Sequence, residues 1–307
     1  MTNFFNRSLQ LTVLAAMTLL RLPAAEVAPR MLLLDAAFAG PDLIAVGERG
    51  TVLRSADAAR TWQAAASPTT ATLTAVTFAV DGRHGWAVGH DALILATSDG
   101  GQVWQQQWQG DNLSDSFLDV LALDARHVIA VGAYGLFVAT GDGGKTWTRR
   151  KLSEEDFHFN RLTRGPTGTL YLAGEHGTLL RSADQGATWA RLAAPYDGSF
   201  YGLLPLDQHT LLAHGLRGRI YRSADDGATW EPIATPHPVL LATALQLKSG
   251  VIAIGGQVRG LLVSRDSGRT FAPWAAPLPT AVAQLIALPD GSVLALGEAG
   301  ATVLPPP

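Results

Sequence analysis

The sequence predicts an all-β fold, a seven-bladed β-propeller whose blades are four-stranded antiparallel sheets. Three observations lead to this prediction: one short motif recurs at a constant interval, each copy follows a hairpin pattern, and the composition suits short strands. Of the 307 residues, 32 are glycine and only 16% are charged, which favours strands joined by tight turns over long charged helices. Self-similarity at a fixed period is the sequence signature of a repeat architecture.

The recurring motif is Ser/Thr-x-Asp-x-Gly-x-Thr-Trp/Phe, an Asp-box, and it occurs six times. Its aspartates follow one another every 41 to 43 residues: Asp57, Asp99, Asp142, Asp184, Asp225 and Asp266. Asp and Ser/Thr side chains accept hydrogen bonds from nearby backbone N–H groups, and glycine permits a positive φ where the chain reverses. We therefore predict that each box stabilises the turn between the third and fourth strands of a blade.

Each box ends on an aromatic residue, which we expect to turn inward and fill the space between adjoining blades. These residues are Trp62, Trp104, Trp147, Trp189, Trp230 and Phe271. A catalytic or metal-binding role for the box aspartates is the weaker interpretation, because six equivalent copies spread around a ring serve folding. Ala59 replaces the glycine of the first box and Val103 the threonine of the second, so we expect the first turn to be distorted.

A hairpin pattern precedes every box, as in the stretch GWAVGHDALILATS at 85–98. An apolar run, a glycine-bearing turn and a second apolar run are typical of two antiparallel strands. A further strand-like piece lies upstream, as at 73–80, and a short segment follows each box. Four strands in about 42 residues is the arithmetic of a propeller blade.

The last repeat, at 281–304, is incomplete. It holds an upstream strand and a hairpin, but three prolines follow where a box is due. Because proline cannot donate to a sheet ladder, the chain does not continue there as a fourth strand. We predict that the N-terminal strand at about 26–30 supplies it and closes the ring at seven blades.

The GWAVG at 85–89, with Phe78 before it and boxes such as 140–147 after it, resembles the family of photosystem II assembly and stability factor propellers and their bacterial relatives. The resemblance covers nearly the whole mature chain. It implies a lumenal or periplasmic chaperone-like factor that binds a protein client and helps to assemble a membrane complex. Asp-boxes also occur in sialidases, sortilin-type receptors and xyloglucan-degrading hydrolases, so function is less firmly implied than fold.

The first 25 residues predict a secretory signal peptide. Arg7 precedes an apolar run from Leu9 to Leu20, and small residues follow at 23–25. Twelve apolar residues are too few to cross a bilayer core of about 30 Å, which weighs against the alternative of an uncleaved anchor. We therefore expect an exported, periplasmic propeller comprising residues 26–307.

Several classes of function are disfavoured by composition. Cysteine is absent, which excludes disulfides, thiolate metal sites and a cysteine nucleophile. The net charge of −3 and the lack of a Lys/Arg run provide no field for nucleic acid. The eight histidines are dispersed without metal-ligand spacing, and no glycine-rich phosphate loop precedes a helix. We expect no metal, no cofactor and a monomer.

Partner binding is predicted at the hairpin tips opposite the boxes, where folding constrains sequence least. The candidates are Glu48, Arg49, His90, Asp91, Tyr134, Glu175, His176, Arg217, Arg259 and Glu298. Arg and Tyr are enriched at interface anchors, although polar tips that are merely solvated are the alternative. The connections at 109–116 and 151–160 add acidic residues, with Phe157 and Phe159 nearby.

Catalysis is not predicted. The FRIP-like arginine motif of sialidases is absent, and a glycosidase needs two carboxylates about 5–10 Å apart. The tip carboxylates that remain as candidates are Glu48, Asp91, Glu175 and Glu298. The alternative function is therefore a carbohydrate-binding or glycoside-hydrolysing, sialidase-like propeller.

Overall fold

The computed structural model describes residues 31–258, 260–276, 278 and 280–307, which form a seven-bladed antiparallel β-propeller. The predicted fold class is thereby confirmed. The predicted leader at 1–25, the predicted closing strand at 26–30 and the candidate Arg259 lie outside the described residues.

The first four blades each contain four strands, joined in sequence order. Their bounds are β1 (Leu33–Ala39), β2 (Asp42–Gly47), β3 (Val52–Ser55), β4 (Gln63–Ala64), β5 (Leu73–Phe78), β6 (Gly85–Gly89), β7 (Leu93–Thr97), β8 (Gln105–Gln109), β9 (Phe117–Ala122), β10 (Val128–Gly132), β11 (Phe137–Thr140), β12 (Thr148–Arg149), β13 (Phe159–Arg164), β14 (Leu170–Gly174), β15 (Leu179–Ser182) and β16 (Ala190–Arg191).

Blades 5 and 6 repeat this arrangement, and blade 7 contributes three described strands. Their bounds are β17 (Phe200–Pro205), β18 (Leu211–Gly215), β19 (Ile220–Ser223), β20 (Glu231–Ile233), β21 (Leu241–Gln246), β22 (Ile252–Gly256), β23 (Leu262–Ser264), β24 (Ala272–Pro273), β25 (Val282–Ala287), β26 (Val293–Gly297) and β27 (Gly300–Leu304). Short 3-10 turns at Glu48–Gly50, Ala133–Gly135 and Leu216–Gly218 form the hairpin tips of blades 1, 3 and 5.

The ring closes by contact between its first and last blades. The first strand of each blade lies against the first strand of the next, and β25 of blade 7 lies against β1 of blade 1. Across this junction the Gln284 side-chain amide donates to Asp35 Oδ1 at 2.8 Å. The first strands therefore surround the central axis, and the later strands of each blade lie progressively outward.

The core consists of apolar layers between neighbouring blades. The second strand of each blade is buried along most of its length, as in β6, where all five residues are buried. Each box aromatic lies in the layer shared with the preceding blade: Trp62 packs with Leu294 of blade 7, and the ring of Trp189 packs edge to face on Phe137 of blade 3 at 6.2 Å. These rings thus lie where space between blades must be filled.

The box of blade 4 shows how the turn is held. Ser182 Oγ accepts the Gly186 N–H at 2.8 Å and donates to Asp184 Oδ1 at 2.8 Å. The amide and hydroxyl of Thr188 donate to the two oxygens of Asp184 at 2.8 and 2.6 Å. These hydroxyl and amide donors lower the pKa of Asp184 to about 2. The aspartate lies at the surface, whereas the bond accepted by the serine is buried.

The two atypical boxes keep the turn. Ala59 adopts φ 68°, and its N–H still donates to Ser55 Oγ at 2.9 Å, so the expected distortion of the first turn is not seen. In the second box Val103 donates only its backbone N–H to Asp99, at 3.0 Å. Asp99 therefore lacks the second threonine bond that Asp184 receives.

Ser182→Ala is expected to lower the free energy of unfolding by about 1–3 kcal/mol, because it leaves the buried Gly186 N–H without its acceptor. Thr188→Val is the control, since it removes an exposed hydroxyl from the same turn. Its loss should be clearly smaller. Denaturant unfolding of both variants measures the difference, and equal losses would contradict the assignment of the buried bond as the main restraint.

Candidate functional site

The hairpin tips and the starts of the first strands form one continuous face, here called the tip face. At the tips of blades 1 to 6, a backbone N–H bonds to the carbonyl just before the first strand of the same blade, as for Ala133 to Ser116 at 2.9 Å and Glu175 to His158 at 3.0 Å. The Asp-boxes occupy the opposite face, where the first-to-second-strand turns bond to them, as Gly143 N–H does to Arg126 O at 2.9 Å. Side chains of different blades are therefore displayed together on the tip face.

The tips carry side chains at positions where the backbone favours glycine. The φ angle lies between 48° and 59° at Arg49, Asp91, Tyr134, His176 and Arg217. A non-glycine residue in this left-handed region costs free energy. All five are exposed, so the cost is not offset by burial of these side chains in the core.

Two predicted tip carboxylates have structural partners. Glu48 accepts the N–H of Leu32 at 3.2 Å, and Glu175 accepts that of His158 at 3.1 Å. Gln257 makes the same bond to Leu240 at 3.1 Å in blade 6. These residues brace the segment entering the first strand, whereas the candidates His90 and Glu298 are exposed.

Aromatic side chains gather between the tips of blades 3 and 4. Phe157 stacks on His176 with 4.3 Å between ring centroids, and Tyr134 meets His158 edge to face at 4.8 Å. The Gly135 N–H donates to the carbonyl of Phe157 at 2.9 Å, which joins the two pairs. We call Tyr134, Phe157, His158 and His176 the aromatic quartet. Phe159, expected nearby, is instead buried as the first residue of β13.

Below the tip face, the first strands place polar groups around the axis. Every first strand has a β-bulge after its first residue, as between Leu33 and Asp35. Asp35 and Asp119, which follow bulges, each accept a backbone N–H from the next blade, at 2.9 and 2.6 Å. The full polar belt comprises Asp35, Asp119, Arg161, His214, Thr243 and Gln284.

Glycine is required at one position of the belt. A Cβ on Gly202 would lie 2.4 Å from His214 Nε2, so the missing side chain of blade 5 leaves room for an imidazole from its second strand. Burial lowers the pKa of His214 to about 4. The neutral ring donates from Nδ1 to the Leu241 carbonyl at 3.0 Å. A cavity of about 190 Å³ adjoins Arg161, His214 and Gln284.

Burial is also the largest influence on the pKa of the two carboxyl groups of the belt. It raises the pKa of Asp119 to about 6, with the Arg161 charge opposing the shift and the Asp35 charge adding to it. The Arg161 Nε lies 3.9 Å from Asp119 Oδ2.

A central channel runs between the first strands. The cavity at its tip-face end has a volume of about 340 Å³ and is lined by Asn160, Tyr201 and Glu298 among others. Sequence analysis did not identify the polar belt, because each of its members belongs to a different blade and no short motif contains them together.

The candidate metal ligands and tip carboxylates of the described residues are dispersed. Within the described ranges, no three His, Asp or Glu side chains are grouped as metal ligands. The tip carboxylates Glu48, Asp91, Glu175 and Glu298 belong to four different blades. The same described ranges include no helix long and apolar enough to cross a membrane.

Comparison with known proteins identifies a family. The family model described as photosynthesis system II assembly factor YCF48 matches residues 54–115 and 106–237. The chain is 48% identical over 44 residues to the photosystem II assembly protein Ycf48 of Thermosynechococcus vestitus. It is also 41% identical over 70 residues to the uncharacterized protein YkuO of Bacillus subtilis. These two matches span 14% and 22% of this chain, and 12% and 22% of the relatives.

Solved structures share the fold over nearly the whole chain. A structure described as YCF48 bound to D1 peptide has a TM-score of 0.73 at 20% identity, covering 92% of this chain and 95% of that one. YCF48 from Cyanidioschyzon merolae also gives 0.73, at 16% identity, covering 92% and 97%. The WD40 β-propeller domain of Doa1 gives 0.70 at 11% identity, covering 91% and 94%. At these identities the likeness shows the fold.

The stability of the Asp119→Asn variant, relative to that of the parent protein, is expected to increase as the pH rises from about 4 to about 7. The folded-state pKa of Asp119 is raised to about 6, so between the unfolded value of about 3.9 and 6 the folded parent holds a proton that the unfolded chain has lost. That stability is present below pH 4 and lost by pH 6, and asparagine does not titrate. Thermal melts of both proteins at pH 4 and 7 measure the change; a constant difference would contradict it.

Proposed function

This chain belongs to the family of the photosynthesis system II assembly factor YCF48, and on that premise we propose that it is an exported, monomeric scaffold, without catalytic activity, that binds a membrane-protein client through its tip face. The observation that carries the proposal is the set of exposed side chains held at left-handed backbone positions on five of the described tips. Folding alone favours glycine there. Since these side chains also gain nothing from burial, we infer that they serve recognition.

The related structure supports a protein client. It is described as YCF48 bound to D1 peptide, so a propeller of this fold can take a peptide. The tips of the present chain offer Arg49, Tyr134 and Arg217, residue types that are enriched among interface hot spots. A protein surface is thus the ligand that these side chains suit best.

Export and a membrane client rest on the leader pattern and the family. Arg7, the apolar run from Leu9 to Leu20 and the small residues at 23–25 are the parts of a cleaved secretory signal. A factor released outside the cytoplasm meets the exported domains of membrane complexes. Assembly or stabilisation of such a complex is accordingly the proposed role.

The test pairs two charge-reversal variants on opposite faces. The tip variant is the double substitution Arg49→Glu and Arg217→Glu, which changes two exposed tips. The box-face variant is the double substitution Arg83→Glu and Arg126→Glu, which changes two exposed residues beside the boxes. Each purified protein is used for affinity capture from a detergent-solubilised envelope extract, with quantitative mass spectrometry. The tip variant should lose roughly tenfold of a specific membrane protein, and the box-face variant should retain it.

Two results would contradict the proposal. One is equal recovery of the same proteins by both variants, which would place binding away from the tips. The other is the absence of any specific membrane protein from the parent capture. Matching thermal melts of the three proteins establish that differences in capture do not arise from unfolding.

A further inference from the structure

We propose that the aromatic quartet between blades 3 and 4 is the docking site for an extended protein segment that carries a Lys or Arg side chain beside aliphatic residues. The inference deepens the proposed scaffold function, on which it rests, by assigning one sector of the tip face and the chemistry of its occupant.

The backbone presents the quartet outward. Tyr134 is 60% exposed at φ 54°, and His176 is exposed at φ 48°. Both occupy the left-handed tip position, so the fold holds an aromatic side chain on the surface at a conformational cost. The ring stacking and the bond between Gly135 and Phe157 hold the sector in one arrangement. A pre-organised aromatic surface loses little entropy on binding.

An exposed apolar side chain also occurs in the neighbouring connection. Leu113, in the connection from blade 2 to blade 3, is 59% exposed. The same connection bonds to the blade 3 tip through Ser116 and Ala133. Exposed apolar groups grouped on one side of a protein are typical of an interaction surface, and here they suit aliphatic side chains of the occupant.

Acidic residues border this surface. The connection that enters the quartet contains Glu154, Glu155 and Asp156, all exposed, and Asp111 is exposed in the neighbouring connection. Aromatic faces attract cations, and nearby carboxylates strengthen the preference. The same charges repel phosphate, so nucleic acid and anionic lipid are disfavoured as occupants.

The basic residues of this sector already have acceptors within the chain. Lys151 pairs with Glu154 at 2.9 Å, and Arg149 pairs with Asp115 at 2.9 Å. Arg191 donates to the carbonyl of His176 at 3.3 Å. Their three positive charges are outnumbered by the five carboxylates of the two connections, so the net charge of the sector is negative and complements a Lys or Arg side chain on the client. These carboxylates are Asp111, Asp115, Glu154, Glu155 and Asp156.

The test is selection from a phage-displayed library of random 12-residue peptides on the immobilised protein, followed by affinity measurement on synthetic copies of the enriched peptides. We expect enrichment of Arg or Lys next to aliphatic residues. Tyr134→Asn and the triple variant Glu154→Gln, Glu155→Gln, Asp156→Asn should each weaken binding roughly tenfold, equivalent to about 1.4 kcal/mol. Asparagine tolerates the left-handed conformation, so the fold is retained.

Gln185→Asn is the matched control, because Gln185 is also exposed at a left-handed φ, 59°, but lies in the blade 4 box on the opposite face. Its affinity for the selected peptides should stay within twofold of the parent. Enrichment of acidic peptides, or unchanged affinity of Tyr134→Asn, would overturn the proposal. So would failure of the parent to enrich any peptide above an uncoated surface.

Two further outcomes separate this inference from the scaffold function. A second tip variant, Arg217→Asn, tests the position on the tip face. If it loses peptide binding while Tyr134→Asn keeps it, the tip face is still the binding face, but the placement at the quartet is refuted. Concentration-dependent dimerisation of the parent, abolished by Tyr134→Asn in analytical ultracentrifugation, would identify a second copy of the chain as the occupant and refute a separate client. The scaffold function itself is decided by the envelope capture.

Discussion

The structure depends on apolar packing between blades that are unstable individually. A four-stranded sheet exposes two faces, and each face here is covered only by the adjoining blade. Seven layers of aliphatic and aromatic side chains result, and each box aromatic lies in one of them. Because burial scales with contact area, no blade can reach full stability until it has both neighbours.

The polar belt adds direction to this non-directional packing. Asp35 and Asp119 accept backbone N–H groups of the following blade, so each fixes the position of one first strand relative to the next. Buried carboxylates are costly, and the raised pKa of Asp119 reports that cost. The hydrogen bonds accepted by Asp35 and Asp119 hold the first strands in register near the tip face. Because the tips bond to the starts of these strands, the same bonds help to position the tips.

The period of the Asp-boxes and the hairpin pattern before each box together predicted the fold, because a turn motif repeated every 41 to 43 residues constrains each hairpin independently. Tyr134 and His176 were predicted as tip residues for the same reason. His158 was missed, since its place in the quartet depends on how the connection from blade 3 meets the next tip. The bracing role of Glu175 and the inward direction of Asp119 depend on backbone bonds and bulges that no short motif encodes.

The junction between Asp35 and Gln284 joins residues that are 249 positions apart. Closing so large a loop is slow, because the entropy must be lost before the contact contributes any stability. During synthesis the first blade emerges long before its partner, with the apolar side that contains Leu43 and Trp62 still open to water. An apolar surface that can aggregate therefore stays open on the first blade until the strands of blade 7, which begin at Val282, have been made.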